Sequence, residues 1–430
     1  MATLTDDLRW RGLIHQATDP ALEPRLDAGG LTVYIGFDPT APSLHVGNLL
    51  QLCTLRRLQL GGHQPIALAG GGTGMIGDPG GRSGERSLLG REELAHNLGG
   101  IEPQLGRFLD FTGAGGTAAL LLDNAEWLAP LSMVDYLRDI GKHFTVNQMV
   151  AKESVKARFE RPDQGISYTE FSYMLLQAFD YLELFRRHDC RLQVGGSDQW
   201  GNLVAGVGLI RSVQGASVHA LATPLITKPD GTKYGKTEGG AIWLSADLMP
   251  PYAFYQFWLN VSDAEVPGLL RVFSFRSREE IEQLTRESSE RPAARTGQRA
   301  LAQELTTLVH GAEETRRAIA ASQALFGRSD LAEVDEQTLA AAVAEVPSVQ
   351  VFAGADPQTL PTVVDLMAEL KMVPSKSAAR RAIMEGGAYL NNRKVTSEDA
   401  VPGRADLLCG RYLILRVGKR TVGAVEVVSS

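Results

Sequence analysis

Two short segments of this chain carry residues that could hold and neutralise a polyphosphate. Residues 43–48 read Ser-Leu-His-Val-Gly-Asn at the start of an amphipathic stretch, and the free N–H groups at the start of a helix attract phosphate. Residues 233–237 read Lys-Tyr-Gly-Lys-Thr within a glycine-rich stretch, and lysines three residues apart can neutralise charge on a departing polyphosphate. Together the two segments predict the halves of one ATP site.

Each segment also has a simpler explanation when it is taken alone. His45 could merely cap a helix, and Gly36 and Gly47 could be packing residues. The two lysines could lie on a solvated surface loop. The presence of both segments in one chain, nearly 200 residues apart, is what favours a shared site.

The elements that must position these residues follow the pattern of an α/β protein. Up to about residue 230, short β-rich runs alternate with amphipathic helical ones, which is typical of a Rossmann-like doubly wound parallel sheet. The predicted strands are 31–38, 64–72, 118–123, 190–199 and 218–227. Ligands of such sheets bind beyond the carboxyl ends of the strands, so the first strand, which ends at 36–38, should reach the ligand.

A polar stripe runs along a predicted helix that is otherwise mostly apolar. Tyr173, Gln177 and Asp180 stand at positions i, i+4 and i+7, so they share one face. A structural hydrogen-bond network would explain the stripe about as well as a ligand would. However, Tyr34 and Asp78 can converge on the same space, and the set fits a phenol that carries an ammonium group. Tyr34 and Asp180 would then bind the hydroxyl, leaving the other three residues for the ammonium.

The two phosphate segments resemble the signatures of class I aminoacyl-tRNA synthetases, usually written HIGH and KMSKS. They stand here as HVGN and KYGKT, so this chain departs from the consensus at Asn48, Tyr234, Gly235 and Thr237. Asn48 keeps a hydrogen-bond donor where the second histidine would be.

Over essentially its whole length the chain resembles bacterial tyrosyl-tRNA synthetases. The resemblance rests on YIGFDPTAPSLHVGN, GMIGDP, YTEFSYMLLQAFDY, QVGGSDQWGN and KYGKT, in that order. It implies that tyrosine is held by Tyr34, Asp78, Tyr173, Gln177, Asp180 and Gln199. It implies that ATP is held by Gly36, Asp38, His45, Gly47, Asn48, Gly196, Asp198 and Lys236. The catalytic residues it implies are Thr40, His45, Lys233, Lys236 and Thr237. Arg82 and Arg86 could help to bind pyrophosphate or the tRNA end, or they could belong to a solvated basic loop.

The reaction implied by the resemblance needs no side-chain nucleophile. The tyrosine carboxylate attacks the α-phosphorus of ATP, pyrophosphate leaves, and the tyrosyl group then passes to the 3′ end of tRNA(Tyr). Catalysis should consist of positioning and of charge stabilisation in the transition state. Magnesium would arrive with ATP, since no carboxylate cluster marks a dedicated protein site. The alternatives are a tryptophanyl-tRNA synthetase and a catalytically silent RNA-binding paralogue.

The sequence predicts further domains after the catalytic one, which we place over residues 1–245. A helical domain over 246–327 and a linker over 328–360 precede a small α+β module over 361–430. That module carries a net charge of +4, against −11 for the first 360 residues, which suits a phosphate-bearing partner. The basic residues predicted to bind RNA there are Lys376, Arg380, Arg381, Arg393 and Lys394, although a solvated helix would also explain them.

Composition narrows the possible classes of protein. No apolar run approaches the length of a membrane span, and the N-terminus does not read as a secretory signal, so a cytoplasmic protein is expected. Cys53, Cys190 and Cys409 lie far apart in apolar segments, which predicts reduced buried thiols and no zinc site. The polar insertion near 149–165, together with the family resemblance, predicts a subunit contact in a homodimer.

Overall fold

The computed structural model describes residues 3–78, 88–152, 155, 166–227, 234, 236–237, 240–327, 330–353, 360–418 and 421–429, with the backbone alone at 236, 237, 353 and 429. The chain forms two compact units. The first comprises Met1–Leu248 with Ser262–Gly297, and the second comprises Met249–Val261 with Gln298–Ser430.

The first unit is built on a sheet with the strand order β1-β6-β5-β2-β3-β4. Its strands are β1 (Gln16–Ala17), β2 (Thr32–Phe37), β3 (Gln64–Ala69), β4 (Leu120–Asp123), β5 (Cys190–Gly196) and β6 (His219–Thr223). All neighbouring pairs are parallel except β1 with β6. The predicted doubly wound parallel sheet is therefore confirmed. A short hairpin of β7 (Lys236–Thr237) and β8 (Gly240–Ala241) follows.

Helices surround this sheet, and several begin at a side-chain cap. Ser167 caps the helix Tyr168–His188 by accepting from the Glu170 N–H, which satisfies one of the free donors of its first turn. The helices of this unit are Leu4–Trp10, Leu22–Ala28, Val46–Leu60, Arg91–Phe108, Ala125–Leu128, Met133–Asp135, Val146–Val150, Tyr168–His188, Trp200–Gln214, Val266–Phe273 and Arg278–Glu290.

One buried cluster joins the sheet to the helix that carries the polar stripe. Ile66 and Leu68 of β3 pack in it with Leu182, Leu184 and Leu209, all of them almost completely buried. Burying a leucine or isoleucine side chain contributes roughly 1.5–3 kcal/mol. The cluster thus holds the helix Tyr168–His188 in place against the strand ends.

The second unit is helical in its first part and ends in a small sheet. Its helices are Pro251–Leu259, Thr296–His310, Ala312–Leu325, Glu336–Ala344, Val363–Glu369 and Lys376–Met384. The sheet has the order β11-β10-β12-β13-β9. Its strands are β9 (Ser348–Ala353), β10 (Ala388–Leu390), β11 (Arg393–Lys394), β12 (Tyr412–Val417) and β13 (Thr421–Ser429). The predicted C-terminal α+β arrangement is confirmed.

The segment predicted to be a linker, 328–360, contributes a strand to this sheet. β9 pairs in parallel with β13, from Ser348 opposite Ala424 to Ala353 opposite Ser429, and Val349 and Val351 pack against its core. The alternating apolar residues of β9 bury one face. Each residue of β9 pairs with one 76 positions further on, from Ser348 with Ala424 to Ala353 with Ser429. The sequence around β9 is acidic and contains prolines, so nothing local indicates a strand.

Two predicted features differ from the structure or lie partly outside it. Cys53 and Cys190 are buried, but Cys409 is exposed, because it lies in the turn just before β12 and turns run over the surface. Of the predicted insertion at 149–165, residues 153–154 and 156–165 lie outside the described residues, as do Arg82 and Arg86.

Candidate active site

A cavity of about 270 Å³ opens at the carboxyl end of the first sheet. Its lining includes Asp38, Gly70 and Asn124, which follow directly after β2, β3 and β4, and Gly196, which ends β5. This is the position expected for the ligand site of a doubly wound sheet. The predicted site residues that line it are Tyr34, Gly36, Asp38, Thr40, His45, Asn48, Asp78, Tyr173, Gln177, Asp180, Gly196, Asp198 and Gln199.

The Asp180 carboxyl group is among the most deeply buried polar groups that line the cavity. Asp180 is 2% exposed, and its two oxygens accept from Trp127 Nε1 at 2.7 Å and from Asn124 Nδ2 at 2.9 Å. Burial raises the pKa of Asp180 to about 8, although both hydrogen bonds act in the opposite direction. The carboxyl group is therefore tuned to change its protonation near neutral pH.

Tyr34 shares this part of the cavity, and its hydroxyl oxygen has no hydrogen-bond partner among the described residues. The side chain is 1% exposed, and its ring lies 5.3 Å from that of Tyr181. Burial raises the pKa of Tyr34, and the nearby charge of Asp180 raises it further. Since buried hydroxyl groups normally have partners, the Tyr34 hydroxyl is suited to a polar group of a ligand.

A second carboxylate, Asp38, is held from two sides. It accepts from the Tyr173 hydroxyl at 2.7 Å and from the Thr73 hydroxyl at 2.8 Å. Burial raises the pKa of Tyr173, as does the charge of Asp38, so the phenol stays protonated and donates. Tyr173 thus joins the polar stripe of its helix to the end of β2.

Asp78 forms a hydrogen bond with Gln199, another residue of the predicted set. Gln199 Nε2 donates to its carboxylate at 2.6 Å, and Asn202 Nδ2 donates to Gln199 Oε1 at 2.9 Å. These bonds fix the orientation of the Gln199 amide. The carboxylate of Asp78 and the amide of Gln199 thus enter the cavity as one hydrogen-bonded pair.

Glycines bring the backbone close to the acidic side chains of the cavity. A Cβ atom on Gly70 would lie 2.1 Å from Asp38 Oδ1, and one on Gly196 would lie 2.7 Å from Asp198 Oδ1. Any larger residue would therefore displace a carboxylate. Gly70–Gly72, predicted as the end of a strand, instead form a tight loop after β3, which ends at Ala69. The loop begins there because the Gly70 carbonyl accepts from the Gly74 N–H at 2.8 Å and not from a neighbouring strand.

His45 begins the helix Val46–Leu60 and closes the other end of the cavity. Its Nδ1 accepts from the Gly47 N–H at 2.9 Å, while Asn48 Oδ1 accepts from the His45 N–H at 3.1 Å. With Nδ1 as acceptor, the neutral imidazole carries its proton on Nε2 and can donate from there. Asn48 thus acts in a reciprocal cap at the position where the family signature has a second histidine.

A smaller cavity of about 190 Å³ adjoins the first at His45, Asn48 and Asp198. Gly47 lies in its wall together with Leu225, Ile226 and Tyr234. A site of this kind, an apolar pocket beside a helix start, suits a flat ring whose attached phosphates reach the helix.

The segment after the lysine-containing loop returns to His45. Trp243 forms an antiparallel bridge with His45, and the Val46 N–H donates to the Ile242 carbonyl at 2.9 Å. The Lys236–Thr237 backbone pairs with Gly240–Ala241, just ahead of this contact. The fold therefore brings the two phosphate segments close together, while Lys233 lies outside the described residues.

Several lining residues were not singled out in the sequence: Gln51, Thr73, Asn124, Trp127 and Gln193 are polar groups in or beside the cavity. Asn124 follows the predicted strand 118–123, so the rule of strand carboxyl ends could have found it. Trp127 and Thr73 offer no such signal. They act through contacts with residues more than 30 positions away in the sequence.

The basic residues of the C-terminal module are exposed on one helix and one hairpin. Lys376 pairs with Asp365 at 2.7 Å and Arg380 with Glu398 at 3.5 Å. Arg381, Arg393 and Lys394 are also exposed. Such surface ion pairs are weak and exchange readily with other anions.

Two classes of feature are absent from the part of the chain that the structure describes. No group of three His, Cys, Asp or Glu side chains there could hold a metal ion. Within the same residues, no helix combines the length and the apolarity that crossing a membrane requires.

Comparison with known proteins covers nearly the whole chain. Residues 27–327 match the family described as tRNA synthetases class I (W and Y), and residues 338–423 match the tyrosine–tRNA ligase SYY-like C-terminal domain. The chain is 58% identical to the tyrosine–tRNA ligase of Thermobifida fusca (99% of each chain). It is 56% identical to that of Streptomyces coelicolor (100% of each chain).

A solved structure shows the same relationship. The C-terminally truncated mitochondrial tyrosyl-tRNA synthetase of Aspergillus nidulans is similar with a TM-score of 0.68 and 30% identity, over 76% of this chain and 95% of that one. The position of the cavity at the strand ends is consistent with the family of these relatives. The chain belongs to the tyrosine–tRNA ligase family of class I tRNA synthetases.

Proposed function

We propose that the cavity of the first unit joins L-tyrosine to ATP as tyrosyl-adenylate, and that the tyrosyl group then passes to tRNA(Tyr). The observation that carries this assignment is the buried, unpartnered hydroxyl of Tyr34 in the same cavity as Asp180. A substrate phenol can accept from the Tyr34 hydroxyl and donate to Asp180 at the same time, whereas an indole N–H can only donate. Neither predicted alternative, a tryptophan enzyme or a silent paralogue, is supported by the relatives.

Tyrosine lies, in this proposal, between two groups of side chains. Tyr34 and Asp180 form the phenol end of the cavity. Gln177 and the paired Asp78 and Gln199 hold the ammonium, together with Tyr173. The carboxylate of Asp78, with amide and hydroxyl oxygens around the cation, stabilises its charge in the buried site.

ATP occupies the nucleotide end of the cavity, which we define by Asp38, His45 and Asp198. Gly36, Gly47, Asn48 and Gly196 shape the approach of its ribose and phosphates. The His45 Nε2–H and the Thr40 hydroxyl donate to phosphate oxygens. The lysines of the 233–237 segment, with Thr237, close over the pyrophosphate as it departs.

The chemistry then rests on positioning and on charge. The tyrosine carboxylate oxygen forms a bond to the α-phosphorus, and the bond from that phosphorus to the bridging oxygen of pyrophosphate breaks. Donors aimed at the phosphates stabilise the extra charge on the transition state. Mg²⁺ enters with ATP, held mainly by the phosphates.

The second unit serves the RNA substrate. We propose the catalytic domain over 1–245, the helical domain over 246–327, the linker over 328–360 and the RNA-binding module over 361–430. These bounds differ from those of the two compact units, and β9 within 328–360 pairs with β13 of the module. The exposed cations Lys376, Arg380, Arg381, Arg393 and Lys394 contact the tRNA backbone, because exposed guanidinium and ammonium groups bind phosphate in place of salt ions or of a weak surface partner. We further propose that the enzyme is a cytoplasmic homodimer.

Pyrophosphate exchange into ATP tests the first step. Exchange should depend on tyrosine and should be lost on Lys236→Ala, because the departing pyrophosphate loses a counter-charge. Exchange driven by tryptophan, or no exchange with any amino acid, would refute the assignment.

A second variant separates the two steps of the reaction. Arg393→Ala combined with Lys394→Ala should leave exchange unchanged and weaken tRNA charging about tenfold or more at physiological salt. An equal loss of exchange would show that the module acts on the catalytic site or on folding instead.

A further inference from the structure

The phenol end and the nucleotide end of the cavity are joined by a row of hydrogen bonds. Asn124 Nδ2 donates to Asp180 Oδ2 at 2.9 Å and also to the Thr73 hydroxyl at 2.9 Å. The Thr73 hydroxyl in turn donates to Asp38 Oδ1 at 2.8 Å. Thr73 is 2% exposed and Asn124 is 1% exposed, so water does not compete for these groups.

The direction of each bond in this row is fixed. The Gly72 N–H donates to Asn124 Oδ1 at 2.7 Å, which identifies the oxygen of the amide and leaves its nitrogen for Asp180 and Thr73. The Thr73 oxygen accepts from that nitrogen, so its own proton is free for Asp38. Asn124 and Thr73 can therefore not reorient without breaking a buried hydrogen bond.

The loop that carries Thr73 is built to place it between the two carboxylates. A Cβ atom on Gly70 would lie 2.7 Å from the Thr73 hydroxyl oxygen, and one on Gly71 would lie 2.2 Å from Asp123 Oδ1. The glycines thus allow the backbone to pass close to the side chains of Asp38, which follows β2, and Asp123, which ends β4.

We propose that Thr73 is a positioning residue that couples the binding of tyrosine at Asp180 to the binding of ATP at Asp38. The inference rests on the proposed function. The row can open only by breaking a buried hydrogen bond, and a phenol that donates to Asp180 makes this opening rarer because it adds a further bond at one end. Asp38 is then already ordered when the nucleotide arrives, so each ligand strengthens the binding of the other by the same factor.

Equilibrium dialysis of labelled tyrosine, with and without a non-hydrolysable ATP analogue, measures this coupling. In the parent protein the analogue should tighten tyrosine binding by about tenfold, a typical coupling between two sites. The ratio of the tyrosine dissociation constant without the analogue to that with it expresses the coupling. In Thr73→Val, which keeps the shape of the side chain but lacks the hydroxyl, this ratio should fall to within about twofold of one. Thr73→Ser, which keeps the hydroxyl, should restore the parent ratio.

The ratio separates coupling from general damage, because a loss of folded protein affects both measurements equally. Thr54→Val is the matched control, since its buried hydroxyl donates only to the Leu50 carbonyl within its own helix, and its ratio should equal that of the parent. Thr73→Ala replaces the valine variant if the latter does not fold.

A parent ratio near one, or an unchanged ratio in Thr73→Val, would overturn the proposal. Both results are distinct from failure of the proposed function, which would appear as absent tyrosine-dependent exchange in the parent protein.

Discussion

Asp180 shows how a single residue can serve function at the expense of stability. Its carboxyl group is buried beneath the cavity, and Trp127 and Asn124 donate to it without fully offsetting the loss of solvent. In the free protein the carboxyl group keeps its proton up to a pH of about 8, whereas in the unfolded chain it ionises near pH 4. A ligand that donates to the carboxylate therefore binds more tightly as the pH approaches 8.

The variant Asp180→Asn tests the raised pKa of Asp180 through the pH dependence of the free energy of unfolding. The folded-state pKa is raised, so the contribution of Asp180 to stability is present below pH 4 and is lost as the pH rises to about 8. The free energy of unfolding of the parent should therefore fall between pH 5 and 7, relative to the variant, by up to about 1.4 kcal/mol per pH unit. Denaturant titrations without substrate, at pH 5, 6 and 7, measure the difference.

Asp110 serves as a control, because its pKa is shifted in the opposite direction from that of Asp180. Hydrogen bonds from Thr112 and from backbone N–H groups lower the pKa of this exposed carboxyl group to about 2, so it is ionised in both states between pH 5 and 7. Asp110→Asn should shift stability by the same amount at every pH in that range. Parallel curves for Asp180→Asn and the parent would contradict the raised pKa.

At the scale of elements, the start of the helix Val46–Leu60 defines the nucleotide end. The His45 side chain accepts from the Gly47 N–H, and the Asn48 side chain accepts from the His45 N–H. A Cβ atom on Gly47 would lie 2.6 Å from the His45 ring. The glycine is thus required by the position of the histidine. Asn48 preserves this cap, so the departure from the family signature leaves the helix start intact.

Gly47→Ala should displace the His45 ring and lower the rate of pyrophosphate exchange by about 100-fold, since misplacement by about 1 Å has effects of that size. Thermal unfolding should change little in comparison. Gly99→Ala is the matched control, because Gly99 also lies in a helix and a Cβ atom there meets nothing within 4 Å. It should leave exchange unchanged. Native exchange in Gly47→Ala would contradict the fixed geometry of His45.

At the scale of the whole molecule, a group of exposed apolar side chains suggests how two chains associate. Met133, Val134, Leu137 and Val146 are 49–72% exposed within a short stretch of the first unit. Large apolar side chains exposed so close together in the sequence are typical of protein contacts. The stretch directly precedes the predicted insertion near 149–165 and supports the proposed homodimer.

Val134→Glu should dissociate this dimer, because it places a charge on the apolar contact. Sedimentation equilibrium should give twice the chain mass of 46.5 kDa for the parent and a single chain mass for the variant. Leu60→Glu changes an exposed leucine elsewhere in the same unit and should leave the mass unchanged. A parent that sediments as one chain would exclude the proposed dimer.

Most of the architecture could be predicted because local patterns of apolar and polar residues indicate the helices and strands. The strands 31–38 and 190–199 and the helix with Tyr173 and Asp180 were identified from periodicity alone, which reflects which face of each element is buried. β9 was missed, since its pairing with β13 depends on a distant strand rather than on its neighbours in sequence.

The amino-acid sequence by itself determined the parallel sheet, and it predicted the chemistry that we propose: a phenol-binding set and two phosphate segments at the ends of the strands. The tertiary structure decided how those groups are held. It placed Asn124, Trp127 and Thr73 against Asp180 and Asp38 through hydrogen bonds between residues 35 to 56 positions apart. Periodicity reports which face of an element is buried, but only the folded chain determines which buried polar groups meet.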